Sequence, residues 1–316
     1  IDMTVDVRSE HQLFFQLPAW RPGRYELADF ARNIQKWSAF NEYGEQLSHK
    51  KITKDKWMVE TKGVKKVTIT YNYYANQLDA GSSYLDEKQL YVNPVNCCMY
   101  VEGRIKEECI IDLEVPFDYE IACGLEKIGK HGMKAKCFDT LAESPFIVSN
   151  SLQHDLYEVN GIPFHLWFQG KCPPPFEKLK NDFKSFTKEQ ISCLGGFPCS
   201  EYHFLFQITP YKSYHGVEHI NSTVILLGSE KNVFEERYDD LLGISSHELY
   251  HTWNIKSIRP VEMLPYDYTK ENYSRLGFVA EGVTTYMGDL MLYRSGVFNW
   301  EQFAKTQNEN LQRHLE

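Results

Sequence analysis

Two histidines, His247 and His251, lie four positions apart, and Glu248 directly follows the first in the pattern His-Glu-x-x-His. On an α-helix, residues at this spacing share one face, with their Cβ atoms about 5–6 Å apart. Two imidazoles so placed can bind one Zn²⁺ ion, and the carboxylate of Glu248 can reach a water molecule on the same ion. The spacing therefore predicts a zinc site in which Glu248 is the catalytic base.

A third ligand is predicted at Glu281, thirty residues after His251. Apolar and ligand positions around the motif recur with a period near 3.6, until Arg259 and Pro260 oppose continuation of the helix. The segment Leu276–Leu292 contains no proline and reads as a second helix with Glu281 in its first turns. Two helices carrying His, His and Glu give the three-ligand arrangement of a catalytic zinc site with an open fourth position. One zinc ion per chain is expected.

Four blocks of the sequence closely resemble the glycyl aminopeptidase family, metallopeptidase family 61. The block that starts at His247 continues after the motif as Thr-Trp-Asn-Ile-Lys-Ser-Ile-Arg-Pro. The other blocks occur in the family's order and are Pro18–Tyr25 with Asp29–Asn33, Gly216–Thr223 and Ala280–Asp289. The resemblance extends over essentially all 316 residues. Since the block at Pro18–Tyr25 has no place in general zinc motifs, the match is more specific than His-Glu-x-x-His alone.

The resemblance implies a zinc aminopeptidase that removes small amino-terminal residues, glycine or alanine, from peptides with a free amino terminus. It also implies a catalytic domain of the thermolysin-like type that is truncated here at its C-terminal side. A further helical portion, and often a PDZ domain, would follow Glu316 in such a protein.

Gly216, Glu218 and His219 are candidates for substrate binding. Similarity to the broader group of zinc aminopeptidases implies that a Gly-x-x-Glu-like strand lines the cleft and binds the substrate backbone. Gly216 would let the two backbones approach closely, and Glu218 would pair with the substrate ammonium group. The alternative for Glu218 is an exposed glutamate on an edge strand, and His219 would line the substrate or have a structural role.

Thr285 and Asp289 follow Glu281 by one and two helical turns. Hydroxyl and carboxylate groups at these positions are candidates for hydrogen bonds that orient the metal ligands. Ordinary helix packing or a solvated polar face is the alternative for both residues.

The amino-terminal half reads as strands separated by turns, and the rest mixes strands with helices. Apolar residues alternate with polar ones in the tract Val67–Tyr73, which is typical of a half-buried strand, and no long helical periodicity interrupts the first half. After the prolines at 173–175, apolar residues recur at helical spacing from Phe176. The sequence predicts an α+β protein with a β-sandwich domain at residues 1–155 and the catalytic domain at residues 156–316.

Composition limits the partners of the chain. With 34 basic and 43 acidic residues, the formal net charge is −9, which argues against binding to nucleic acid or an anionic membrane. Eight cysteines in a chain of this length are not a small-domain disulfide framework. Reduced thiols in a cytoplasmic protein are favoured over structural disulfides. The sequence leaves open whether a signal peptide has been removed, because the chain begins at Ile1.

Two other functions compete with the aminopeptidase. One is a zinc endopeptidase with an open cleft. The other is a non-catalytic peptide- or protein-binding module with a vestigial zinc site. The presence of both histidines, Glu281 and Glu248 argues against the binding module, since a relict site has no chemical reason to keep all four.

Overall fold

The computed structural model describes residues 1–315 and has a mixed α/β architecture. Its amino-terminal half consists mainly of short strands, with two short helices and a 3₁₀ turn at Phe30–Asn33. The elements of this half are β1 (Asp2–Asp6), β2 (Gln12–Gln16), β3 (Trp20–Arg21), β4 (Glu26–Leu27), β5 (Ile34–Asn41), β6 (His49–Thr53), β7 (Lys56–Glu60), β8 (Lys66–Tyr73), β9 (Tyr84–Leu85), β10 (Gln89–Val92), α1 (Pro94–Cys97), β11 (Tyr100–Val101), β12 (Cys109–Asp112), β13 (Glu120–Cys123), β14 (Glu126–Ile128), β15 (Gly132–Ala135), α2 (Phe138–Ala142) and β16 (Phe146–Ser149).

Two antiparallel sheets at the start of the chain pack face to face. One has the strand order β1-β8-β5 and the other β11-β2-β7-β6. The alternation read from the sequence places Val67, Ile69 and Tyr71 of β8 in the core between them, where they meet Phe15 and Val59. Alternate residues of a strand point to opposite faces, so each strand buries one set and exposes the other.

A second pair of sheets completes this half, with the orders β13-β16-β10-β9 and β12-β15-β14. Their core includes Val148 and Phe138 and also takes in residues from far along the chain, among them Ile255 and Tyr268. The segment that follows the histidine motif therefore packs directly on the amino-terminal half.

The remaining elements build one mixed sheet and four helices. They are β17 (Gln153–Val159), β18 (Ile162–Gln169), α3 (Phe176–Leu194), β19 (Tyr202–Thr209), β20 (Ser213–Glu218), β21 (Ser222–Gly228), α4 (Tyr238–Tyr250), α5 (Thr284–Arg294) and α6 (Trp300–Leu315). The five-stranded sheet has the order β17-β18-β19-β21-β20. Strands β18, β19 and β21 are parallel, and β17 and β20 pair antiparallel at its two edges. The predicted domain division at residue 155 falls within β17.

This sheet lies between the helices and the amino-terminal half. One face packs on α3 and α4 through residues such as Phe204, Phe206 and Leu241. The opposite face carries Leu205 and Val217 into a smaller core that also holds side chains of the amino-terminal half. Because successive residues of a strand point to opposite faces, Val217 of β20 faces that half, whereas Gly216 beside it faces α4.

The helices that carry the predicted ligands are interrupted. The sequence predicts a helix that continues to Arg259, but α4 ends at Tyr250 and a π-helical turn follows at Thr252–Ser257. Within this turn the backbone of Asn254 leaves the helical region, with φ −111° and ψ 89°. A second π-helical turn at Phe278–Val283 precedes α5. Such turns insert one extra residue into a helix and occur frequently at functional sites.

Two further features concern the cysteines and the helices. All eight cysteines are free thiols. Within residues 1–315, none of the helices combines the length and the apolar character that crossing a bilayer needs.

Candidate metal centre

The three predicted ligands meet at the end of α4. Nε2 of His247 lies 3.0 Å from Nε2 of His251, and Oε2 of Glu281 lies 3.5 Å from the first nitrogen and 3.6 Å from the second. Ligand atoms about 2.0–2.1 Å from a tetrahedral ion are about 3.3 Å from one another. The three spacings are close to the edges of such a tetrahedron, and two imidazoles with one carboxylate are the donor set of a catalytic zinc site. The residues present therefore fit zinc.

Hydrogen bonds on the far side of each ring orient the two histidines. Nδ1 of His251 lies 2.8 Å from the carbonyl oxygen of Asn254, so it carries the proton and donates, which leaves Nε2 with a bare lone pair for a metal. Oγ1 of Thr285 lies 3.4 Å from Nδ1 of His247. Both rings thus turn Nε2 toward Glu281.

The charges around His251 favour a cation. Burial opposes a positive charge on this ring, but Glu218 and Glu281, with Glu248, raise the pKa of the metal-free ring to about 9. A zinc ion bound to Nε2 would take the place of that proton. The ring is almost fully enclosed, while the Glu281 side chain is 50% exposed. Carboxylates concentrated in an enclosed site are compensated by a bound cation.

Asn254 links the two segments that carry the ligands. Its side-chain Nδ2 donates to the carbonyl oxygen of Val279 at 2.8 Å and to Oγ1 of Thr284 at 3.0 Å. The same residue accepts the proton of His251 through its backbone. The π-helical turn after α4 is therefore tied to the π-helical turn that carries Glu281, and this fixes the ligands relative to each other.

Glu248 points from α4 toward the edge of the sheet. Its carboxylate is buried against Gly216 of β20, where an added Cβ would lie 2.6 Å from the Glu248 carboxyl carbon. Oγ1 of Thr223 donates to Oε2 of Glu248 at 3.4 Å. Burial raises the pKa of Glu248 to about 8, and the charge of Glu218 adds to this effect. A carboxyl group with a pKa near neutrality can both accept and return a proton.

Glu218 lies beside the ligands. One of its carboxylate oxygens is within 4.8 Å of donor atoms of both His251 and Glu248. The hydroxyl of Tyr25 donates to Oε1 of Glu218 at 2.5 Å, and Nζ of Lys256 is 4.0 Å from the same oxygen. Burial opposes ionisation, but His251 and Lys256 hold the pKa of Glu218 below its ordinary value. A carboxylate is therefore present there at neutral pH.

A buried ion pair lies behind Glu218. Nζ of Lys256 is 3.1 Å and 2.9 Å from the two carboxylate oxygens of Glu143. Burial alone would lower the pKa of Lys256, but Glu143 and neighbouring groups raise it to about 12. Nδ1 of His219 is 3.8 Å from Glu143, and burial lowers the pKa of His219 well below its ordinary value. The structure thus places His219 next to Glu143, and a role for it in substrate binding stays a prediction.

The two candidates on α5 differ in their surroundings. Thr285 is next to His247, as described above. The carboxylate of Asp289 instead accepts hydrogen bonds from Gln307 at 3.0 Å and Asn310 at 3.4 Å, both on α6. The structure therefore directs Asp289 toward α6, and its part in orienting the ligands stays a prediction.

Two residues on the face of α5 that meets α4 were not among the candidates predicted from the sequence. Thr284 donates to the carbonyl oxygen of Ala280 at 2.6 Å and contacts Asn254. A Cβ on Gly288 would lie 3.0 Å from the backbone of His247, so the two helices approach closely there. Thr284 and Gly288 follow Glu281 at i+3 and i+7, a spacing that puts all three on one helical face. This spacing is visible in the sequence and was the signal that could have identified both residues.

A second group of histidines lies on the opposite face of the sheet. Donor atoms of His165, Glu201 and His203 are within 4.8 Å of one another. However, Nε1 of Trp167 donates to Nδ1 of His203 at 3.2 Å, so neutral His203 carries its proton on Nε2, the atom that a metal would need bare. The neighbouring histidines hold the pKa of Glu201 well below its usual range. This group fits a hydrogen-bonded cluster.

Several solved structures are similar to this chain in fold. The crystal structure of an aminopeptidase N family protein from Idiomarina loihiensis is similar with 29% sequence identity and a TM-score of 0.89, over 96% of this chain and 53% of that chain. The present chain thus spans about half the length of that protein. A mutant M1 zinc metallopeptidase from Deinococcus radiodurans bound to a Tyr-Ser-Ala substrate has 12% identity and a TM-score of 0.53, over 98% of this chain and 70% of that one. A two-domain M1 zinc metallopeptidase mutant bound to L-arginine has 11% identity and a TM-score of 0.52, over 98% of this chain and 69% of that one. At this identity, the M1 structures share the fold alone.

Family models identify the chain more directly. The Peptidase M61 N-terminal domain matches residues 1–150, and M61 glycyl aminopeptidase matches residues 240–316, which contain all three metal-ligand candidates. A search among curated proteins found no match. Because the two M61 models together cover well over half of its residues, the chain belongs to the M61 glycyl aminopeptidase family.

Proposed function

We propose that the chain is a zinc aminopeptidase that hydrolyses the first peptide bond of peptides with a free amino terminus. The observation that carries this proposal is the position of Glu218, a buried carboxylate within 4.8 Å of donor atoms of His251 and Glu248. A carboxylate there can bind the ammonium group of a substrate whose first peptide bond lies over the ligands. An internal segment of a peptide offers no such charge.

The chemistry follows from the residues around the ligands. A zinc ion held by His247, His251 and Glu281 would polarise the scissile carbonyl and lower the pKa of water. Glu248, whose buried carboxylate lies beside these ligands, accepts the proton of the attacking water and returns it to the leaving amine. Gly216 leaves room for the carboxylate of Glu248, and Glu218 holds the amino terminus of the substrate. The scissile bond is thereby positioned between the carboxylates of Glu248 and Glu218.

Several finer features belong to the same proposal. One zinc ion per chain is supported by the spacing of the donor atoms of His247, His251 and Glu281. A thermolysin-like catalytic domain is supported by the position of these residues on two neighbouring helical segments. The preference for glycine is supported by the family's name, and alanine belongs to the same proposal as the next larger side chain. The free thiols support a reducing, cytoplasmic location. The net charge of −9 supports peptides rather than nucleic acid or membrane as partners.

The test uses protein purified without chelator, with Glu218→Ala and Glu248→Gln as variants. Metal analysis should give near-stoichiometric zinc for the parent and for Glu248→Gln, because Glu248 is not a ligand. Glu248→Gln should lose about 10²–10⁴-fold in turnover. The parent should release the first residue of a glycyl peptide and leave the acetylated peptide almost uncut, and Glu218→Ala should lose this discrimination. If the parent cleaves the free and the acetylated peptide equally, or gives internal cleavage products, the protein is a zinc endopeptidase instead. If zinc-loaded protein cleaves neither peptide, the result favours the non-catalytic binding module.

A further inference from the structure

A loop of the amino-terminal half reaches the substrate-binding candidates on β20. It connects β3 to β4, and its turn residue Gly23 has φ +86°. A Cβ on Gly23 would lie 2.7 Å from Cγ1 of Val217 and 3.2 Å from Oε2 of Glu218. Only a residue without a side chain lets the loop approach this closely. The loop is therefore part of the wall around Glu218.

Tyr25, at the end of this loop, contacts Glu218 itself. Its hydroxyl donates to Oε1 at 2.5 Å, and its ring packs near Trp20 with the centroids 6.4 Å apart. The backbone of Tyr25 has φ +55°, a conformation that bulky residues rarely adopt. Burial and the charge of Glu218 raise the pKa of Tyr25 well above its ordinary value, which keeps the hydroxyl a donor. The fold thus holds Tyr25 in an unfavourable conformation that directs its hydroxyl at Glu218.

The charge of Glu218 is left available for a substrate. His251 would be neutral when its Nε2 binds a metal ion. The ammonium group of Lys256 is 4.0 Å from Glu218 and is held by both oxygens of Glu143 at 2.9 Å and 3.1 Å. Glu143, like Tyr25, belongs to the amino-terminal half. A carboxylate offers about four acceptor positions on its two oxygens, and Tyr25 uses one of them on Oε1. Positions on Oε2 can accept the hydrogen atoms of an ammonium group.

We propose that Tyr25 is a positioning residue for recognition of the amino terminus, and that the amino-terminal half thereby completes the substrate site. Its hydrogen bond fixes the carboxylate of Glu218 in the orientation that meets the substrate ammonium group. This inference rests on the proposed role of Glu218. It assigns to the amino-terminal half a direct part in substrate selection.

Binding can be measured without turnover in the Glu248→Gln protein, loaded with zinc, by calorimetry. The probes are a glycyl tripeptide and the same tripeptide with an acetylated amino terminus. Tyr25→Phe keeps the ring that packs near Trp20 and removes only the hydroxyl. Because a hydrogen bond to a charged group is lost, the Kd of the free peptide should rise about tenfold or more, while the Kd of the acetylated peptide stays unchanged. In protein with Glu248 intact, the same change should raise KM and alter kcat little.

A matched control and a double variant separate positioning from packing. Tyr238 also donates to a carboxylate, that of Asp182 at 2.7 Å, so Tyr238→Phe should leave both Kd values unchanged. In a Glu218→Ala background, Tyr25→Phe should have no further effect on the free peptide, because the two residues act as one unit.

Each contrary result has its own meaning. If Glu218→Ala weakens the free peptide and Tyr25→Phe does not, the role of Tyr25 is overturned while the aminopeptidase proposal stands. Equal weakening of both peptides by Tyr25→Phe would overturn it too, since that result reports only packing. If Glu218→Ala leaves both peptides equally bound, the assignment of Glu218 is lost, and with it the role of Tyr25.

Discussion

Gly216 leaves the space in which the carboxylate of Glu248 lies. A Cβ at this position would be 2.6 Å from the carboxyl carbon of Glu248 and 3.0 Å from its Cγ. From the sequence, Gly216 is expected to allow close approach of a substrate backbone. The structure adds a second reason for glycine, which is the fit between β20 and the base on α4.

Gly216→Ala should therefore displace Glu248 and reduce kcat by about 10²-fold or more, the cost of losing a general base. Zinc content should equal that of the parent, because the three ligands are untouched. Peptidase assays combined with metal analysis measure both effects. Gly243→Ala is the control, since a Cβ on this residue of α4 meets no atom within 4 Å. Activity of Gly216→Ala equal to that of the control would show that β20 can shift without moving Glu248.

Asn254→Ala should weaken zinc binding. The substitution removes the hydrogen bonds of Nδ2 to Val279 and Thr284 and frees the segment of Glu281 from that of His251. Loss of a group that orients metal ligands commonly costs about 10–100-fold in affinity. Competition with a chromophoric chelator gives the zinc Kd. Asn232→Ala, which removes an exposed hydrogen bond to Glu236, should keep the parent value, and an unchanged Kd for Asn254→Ala would remove this residue from the metal site.

Glu143→Ala should destabilise the protein strongly. It leaves the ammonium group of Lys256 buried without its partner, and breaking a buried pair in this way typically costs about 3–5 kcal/mol. Urea unfolding measures the free energy of unfolding. Glu108→Ala, which breaks the partly exposed pair of Glu108 with Lys134 at 2.7 Å, should cost about 1 kcal/mol or less. Similar losses of unfolding free energy for Glu143→Ala and Glu108→Ala would contradict the importance of the buried pair. The double variant Glu143→Leu with Lys256→Met should recover much of the stability that Glu143→Ala loses.

Asp289 gives the stability a pH dependence. Burial raises the pKa of its carboxyl group from 3.8 to about 6, so between these values the folded protein holds more protons at this site than the unfolded chain. Its contribution to stability is therefore lost as the pH rises through this window. Asp289→Asn should be more stable than the parent at about pH 7, by on the order of 1–3 kcal/mol, and the difference should vanish below about pH 4.

Urea unfolding across this pH range tests the prediction for Asp289. Asp239→Asn is the matched control, because this exposed residue of α4 also accepts hydrogen bonds from a glutamine, Gln302, at 3.0 Å and 3.1 Å. It should follow the parent at every pH. A gain for Asp289→Asn that is independent of pH would mean that the substitution acts through packing rather than through ionisation.

The sequence could bring the candidate metal ligands together because their arrangement is mostly local. The histidines are four residues apart on one helix, and the spacing alone places both rings on one side. Alternation likewise located strands such as β8, whose buried residues are Val67, Ile69 and Tyr71. Patterns with a period of 2 or 3.6 report which face of an element is buried, and these parts of the fold followed from them.

Contacts between distant parts of the chain could not be predicted in this way. Tyr25 and Glu218 are separated by 193 residues, and Lys256 and Glu143 by 113, so no periodic signal connects them. The π-helical turns were missed for another reason. A turn with one extra residue depends on the tertiary hydrogen bonds of Asn254, and these bonds override the helical preference of the surrounding sequence.

Strand β20 is the last strand of its sheet, and it runs past the base and the ammonium-binding candidate. In the part of the chain that the structure describes, no further strand pairs with its outer row of N–H and C=O groups. An extended peptide laid along this row would bond through main-chain groups that every sequence possesses. Main-chain hydrogen bonds of this kind would not select among the side chains that follow the first residue. Discrimination would then depend on how the peptide begins, and one cleft could serve many different peptides.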